Sequence, residues 1–132
     1  KGIALGAGKP LFAVSSLALI VGGNAAEPGR YLALIDAMRG EYFAAVFVFD
    51  GSAVVAEGAP ILMARSELDV LAGNRRAMQV GPDFGDRWQP RARGVSRLER
   101  TLSAGGPVSL ADWEPTYGRL AEAQVRLEAA SR

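Results

Sequence analysis

Asp36, Arg39 and Glu41 crowd a short joint between two apolar runs in Leu32 to Phe49, LALIDAMRGEYFAAVFVF. A carboxylate, a guanidinium and a second carboxylate at the rim of a buried hairpin can bind a ligand; they can equally pair with one another. Asp83 and Asp86, with Asp50 or Glu57, are hard oxygen donors of the kind that hold magnesium, although aspartates in turns more often serve the turn itself. A further cluster, Arg75, Arg76, Arg87, Arg91, Arg93, Arg97 and Arg100, is interleaved with Trp88. Guanidinium forks bind phosphate and an aromatic ring can stack on an unpaired base. Arg87, Trp88, Arg91 and Arg93 are therefore candidates for RNA contact, against the plainer reading of a solvated face or protein interface. Gly6-Ala7-Gly8-Lys9 has glycines and a lysine, but Pro10 follows where a phosphate loop needs Ser or Thr opening a helix, so a helix C-cap is the better reading.

The residues that are missing narrow the chemistry further. The chain has no histidine and no cysteine. Ser-His-Asp and Cys-His catalysis, thiolate or imidazole zinc sites and disulfides are all excluded. What remains for chemistry is carboxylates with Ser, Thr, Tyr, Lys or Arg.

The elements that must position these groups follow from spacing. Arg39-Gly40 predicts a two-residue hairpin turn, because Gly accepts the positive φ such turns require. The hairpin strands are apolar on both faces and call for cover on both sides, in the middle of a sheet under helices. Asp50-Gly51 predicts a second turn into a strand over 53–57, giving a three-stranded antiparallel meander that Pro60 ends. Before it, residues 1–7 read as helical turns closed by Gly6 and Gly8. Residues 11–14 read as a short buried strand, and Ser15 or Ser16 as the cap of a helix over 17–21 ended by Gly22-Gly23-Asn24. Later, Ser66 and Asp69 suggest a capped helix over 67–72, residues 77–80 a strand, 95–104 a helix and the stretch from about Leu120 a last helix.

Four segments resemble, in order, successive motifs of one family. They are Lys1-Gly-Ile-Ala-Leu-Gly-Ala-Gly-Lys-Pro10, Phe12-Ala-Val-Ser-Ser-Leu17, Ile35-Asp-Ala-Met-Arg-Gly-Glu41 and Glu114-Pro-Thr-Tyr-Gly-Arg119. The family is TsaB (YeaZ), bacterial partners in the threonylcarbamoyladenosine modification of transfer RNA. The resemblance implies an α/β chain of the actin and Hsp70-like, ribonuclease H-like type. Residues 1–28 would be the remnant of a first lobe (helix, strand, helix), and 29–132 a second lobe with a C-terminal helix. It also implies a non-catalytic subunit that supports the threonylcarbamoyl-transferring paralogue TsaD together with the ATPase TsaE. Those partners would use ATP and metal, this chain would carry no cofactor, and contact with transfer RNA would be indirect.

In kinases and ATPases of that superfamily the hairpin opening the second lobe faces nucleotide phosphates, where Asp36 could orient magnesium-bound water. The family is regarded as having lost catalysis, and here Met38 stands where a basic residue is common and Tyr42-Phe43 where Val-Tyr is common. Tyr117 and Arg119 match the family's Pro-x-Tyr-Leu-Arg segment, Tyr117 as a structural lock and Arg119 as the alternative partner contact. Pairing with TsaD resembles a contact between first lobes. With most of that lobe expected to be missing, this chain alone should not support the pathway, and apolar surface on Leu5, Leu11, Val14 and Leu17 should favour a homodimer. The rival functions are a peptidase of the M22 glycoprotease kind and an RNA-binding module built on Arg75 to Arg100.

Composition is compatible with one small domain: 132 residues, 49% apolar, 22% charged and a formal charge of +1. No apolar run approaches the roughly 20 residues of a membrane span, and no signal-peptide pattern opens the chain, so no membrane and a cytoplasmic setting are the expectation.

Overall fold

A computed structural model describes residues 1–115. The predicted last helix, Tyr117 and Arg119 lie outside the described residues. The architecture is α/β: a five-stranded mixed sheet with helical elements on both faces. Strands β1 (Gly29–Asp36) and β2 (Glu41–Phe49) form its central antiparallel hairpin, in the register Gly29 opposite Phe49 through Asp36 opposite Tyr42. β3 (Val54–Ala56) continues the meander onto the far edge of β2. After Pro60 the chain returns to that same edge as β4 (Ile61–Ala64), beside the other half of β2. This strand was not expected: Pro60 interrupts the edge ladder without ending it, because a proline on an edge removes only one donor. β5 (Met78–Val80) pairs parallel with β1 on the opposite side.

Strict alternation sorts the strand residues into two cores. Ala33, Ala45, Phe47 and Phe49 face one side, where α2 (Ser16–Asn24) supplies the fully buried Ile20 and Val21. Leu32, Leu34, Ala44 and Val46 face the other, against Leu68 and Ala72 of α3 (Leu68–Arg75). The two-sided cover predicted from the apolar strands is therefore present. Residues 16–24, within the span 1–28 that the resemblance assigns to a first-lobe remnant, pack in the core beneath the sheet.

Local differences have identifiable causes. Residues 11–14 form no strand: Leu11 makes one bridge to Val108 and Val14 packs against the core, while Phe12 and Ala13 are exposed. Helix α2 runs through Gly22-Gly23-Asn24, and its N-cap Ser15 makes no side-chain hydrogen bond. Those glycines are there for approach: a Cβ on Gly94 would lie 2.6 Å from the Gly23 nitrogen, and one on Gly22 would lie 2.8 Å from the Gly94 oxygen. The segment 92–98 is a 3₁₀ run leading into α4 (Glu99–Gly105), so the predicted helix over 95–104 begins as a tighter spiral. At α3, a 3₁₀ turn over Arg65–Glu67 comes first, and Glu67 rather than Asp69 reaches back to accept from the Ala64 N–H. The first helix, α1 (Gly2–Ala7), ends at Gly8 in the left-handed conformation as expected. Among the described residues no helix is long and apolar enough to cross a membrane.

Candidate functional site

β4 runs antiparallel to β2 and therefore shares the direction of β1 and β5, so the carboxyl ends of all three strands reach the same edge of the sheet. That edge is where ligands of open α/β sheets bind. It carries the hairpin tip, Arg65 after β4 and Asp83 after β5.

The hairpin tip is one residue longer than the predicted Arg39-Gly40 pair, since the Ala37 N–H bonds to the Glu41 carbonyl at 2.9 Å and leaves Met38, Arg39 and Gly40 between them. Met38, Arg39 and Gly40 all have positive φ, and the Glu41 N–H closes the turn on the Met38 carbonyl at 3.2 Å. Arg39 and Gly40 are its two central residues, as in a type I′ turn. Asp36 is exposed at the end of β1, and its Oδ1 accepts the Met38 N–H at 2.8 Å. One oxygen of Asp36 is thus committed to shaping the turn. Glu41 opens β2 half-buried, and Arg39 is exposed at the apex. The Arg65 N–H donates to the Gly40 carbonyl at 3.0 Å, fixing the tip to β4.

Beside the tip lies a trio that the sequence reading missed. The Tyr42 hydroxyl donates to Asp83 Oδ2 at 3.0 Å and accepts from Arg65 Nη1 at 2.9 Å. The Tyr42 ring meets Phe84 edge-on at 5.9 Å, and the Arg65 guanidinium lies 5.8 Å from the Tyr42 ring and 5.7 Å from Phe84. Desolvation, then the hydrogen bond and negative charge of Asp83, raise the Tyr42 pKa above its ordinary value against the opposing pull of Arg65. The available signal was Tyr42 itself, a phenol on a strand face otherwise filled by Ala44 and Val46, which had to find a polar partner. Asp83 is accordingly a hydrogen-bond acceptor for a core tyrosine. No group of three metal-ligating side chains gathers among the described residues.

The arginine segment divides. Trp88 is 5% exposed, packed against the Tyr31 ring at 5.7 Å with the Arg87 guanidinium 4.8 Å from its own ring. It belongs to the core under α2, which corrects the expectation of a base-stacking platform. Arg93 Nε donates to the Gly23 carbonyl at 2.9 Å, while Arg97 donates to the carbonyls of Gly22 and Ala25 at 3.1 and 2.7 Å. These side chains satisfy the open carbonyls at the C-terminal end of α2. Arg91 is exposed, with its Cβ close to Gly23.

On the α2 side of the hairpin lies an apolar cleft of about 750 Å³. Ile35 and Phe43 line it from the sheet, Val14 to Leu17 from the entry to α2, Ile61 and Leu62 from β4, and Trp113 with Pro115 from the end of the described chain. Among the described residues its lining includes the serines 15 and 16 but no ionisable side chain. Lys1 Nζ donates to the Trp113 carbonyl at 2.8 Å, drawing the start of the chain to the same wall. In comparisons with known proteins, no family matches this chain and no curated protein matches it closely enough to be a relative.

Proposed function

We propose that this chain is a TsaB-type, non-catalytic subunit with an actin-like second lobe. In this reading it supports a TsaD-like paralogue, together with a TsaE-like ATPase, in threonylcarbamoyladenosine modification of transfer RNA. The observation that carries the reading is convergence. Of the four resembling segments, the second and third contribute Val14 to Leu17 and Ile35 to one cleft, Pro115 joins them from the described start of the fourth, and Lys1 of the first bonds to Trp113 beside it. Motifs that serve one surface have a reason to travel together.

The character of that surface favours contact over chemistry. The cleft is apolar, and Ile3, Leu5 and Phe12 nearby in sequence are exposed. A peptidase needs a nucleophile beside a base, and among the described residues the cleft serines have no ionisable neighbour in its lining. ATP and metal belong to the partners in this reading.

The test mixes the TsaD-like paralogue of the same organism with the protein that carries this sequence at its natural length, and measures complex mass by size exclusion with light scattering. A one-to-one complex is expected. It should be lost in Ile61→Asp/Leu62→Asp, which charges the cleft, and retained in Val70→Asp, which charges an exposed site on α3. No complex with the unsubstituted protein, or equal loss in all variants, sinks the reading.

A further inference from the structure

The opposite end of the sheet holds a second concavity, about 450 Å³, lined by Arg30, Glu57, Asn74, Arg75 and Arg76. It lies where β1 begins, β3 ends and α3 finishes, so strands and a helix far apart in sequence bring three guanidiniums against one carboxylate. On a chain whose formal charge is only +1, that is a concentrated positive site. We propose that it binds the phosphate group of an anionic ligand, with Arg75 and Arg76 as the principal forks and Arg30 as the third.

Three features separate it from the arginines already described. First, Arg93 and Arg97 are consumed by carbonyls of α2, whereas Arg75 and Arg76 have no side-chain partner among the described residues. They are not needed to close α3 either, because the backbone N–H groups of Arg76 and Ala77 already bond to the Gly73 and Ala72 carbonyls. Second, Arg76 occupies the left-handed C-terminal position with φ 50°, where Gly is the favoured residue. A side chain held in a costly backbone conformation fits a position retained for its guanidinium. Third, Arg30 Nε is held by Glu57 at 3.0 Å, so its fork is oriented at the wall while its other nitrogens still have donors to offer.

Among the described residues the lining contains no aromatic or aliphatic side chain. Apart from the guanidiniums themselves, no side chain of that lining offers a stacking face or an apolar wall for a ring, so the phosphate is the recognised feature. The phosphate can be free or part of a polynucleotide backbone, and Asn74 can supply an amide donor to either. The site is at the other end of the sheet from the cleft and does not rest on the subunit reading.

The test follows the arginine Nε–H resonances of the isotopically labelled protein during titration with inorganic phosphate, with sodium chloride at matched ionic strength as control. Saturable shifts are expected at Arg30, Arg75 and Arg76 and not at Arg93 or Arg97. Arg75→Ala/Arg76→Ala should weaken binding by roughly tenfold or more. Arg76→Gly should raise the melting temperature, by relieving the left-handed conformation, while still weakening phosphate binding, a pairing that damage to the fold cannot produce. Parallel, unsaturated shifts at all arginines, or identical shifts with chloride, overturn the proposal. A short single-stranded RNA then identifies the source. Binding tighter than phosphate and falling steeply with salt assigns a polynucleotide backbone, while binding no tighter per phosphate assigns a free phosphate.

Discussion

Tyr42 ties the carboxyl edge of the sheet together, since its hydroxyl bonds both Asp83 after β5 and Arg65 after β4. Tyr42→Phe keeps the ring against Phe84 but leaves the Asp83 carboxylate and the Arg65 guanidinium without it. Chemical denaturation should report a loss of roughly 1.5–3 kcal/mol, the usual worth of hydrogen bonds to charged groups. The raised pKa sets the sign of its pH dependence. A proton held more tightly in the folded state contributes stability that is fully present below the ordinary tyrosine value and is lost as pH rises through the folded one. Wild type should therefore lose stability on the alkaline side of about pH 10, and the Phe variant should lack that step. A shared alkaline limb would place its origin elsewhere. Asp50 carries the opposite sign. The Ala53 and Ser52 backbone N–H groups, then the Ser52 hydroxyl, bond to its carboxylate and hold its pKa below the ordinary value, and Arg100 adds a smaller pull in the same direction. Its contribution is present above the unfolded value and disappears as pH falls through the folded one. Asp50→Ala should flatten that acid limb of stability measured by thermal unfolding.

Glycines that look alike in the sequence perform different tasks at the scale of elements. Gly22, Gly23 and Gly94 let α2 and the 3₁₀ run over 92–98 touch backbone to backbone. Gly94→Ala should cost about 1–3 kcal/mol through overpacking, whereas Gly73→Ala, with open space around it on α3, should be neutral or stabilising in the same denaturation experiment. At the hairpin, exposed Met38 sits at φ 67°, and Met38→Gly should gain roughly 0.5 kcal/mol by relieving the left-handed conformation net of chain entropy. What the sequence disclosed follows this division. The hairpin, the meander, the two-sided burial and β5 were legible because apolar alternation and Gly-containing turns are local signals. β4, the long α2 and the burial of Trp88 were not. β4 is a four-residue edge strand, α2 keeps Gly-Gly because Gly94 arrives from about 70 residues away, and Trp88 is a core residue inside a polar loop. The hairpin charges were correctly placed together at a rim. The Tyr42, Arg65 and Asp83 trio escaped because its members come from three elements whose meeting only topology decides.

At the scale of the whole molecule, the two ends of the sheet differ in kind: one presents three arginines around a polar hollow, the other adjoins an apolar cleft. Near the cleft end, the apolar side chains of α1 have no cover among the described residues. This helix has six residues, none of them buried, with Ile3 90% and Leu5 70% exposed. A helix that short is not stable in water by its own hydrogen bonds, since nucleation is costly and packing normally supplies the remainder. The Lys1 tie to Trp113 fixes its start and leaves its apolar side chains uncovered. The isolated 132-residue chain should therefore bury this helix against a second copy, with mass by light scattering rising from monomer toward dimer as concentration increases. Ile3→Asp/Leu5→Asp should hold the mass at monomer while leaving the sheet intact by circular dichroism, because neither side chain belongs to either core. The same substitutions should leave phosphate binding at Arg75 and Arg76 unchanged, since that site lies at the far end of the sheet. A wild-type chain that stays monomeric at every concentration would show that α1 needs no cover, and the exposed apolar residues around the cleft would lose their strongest claim to be a contact surface.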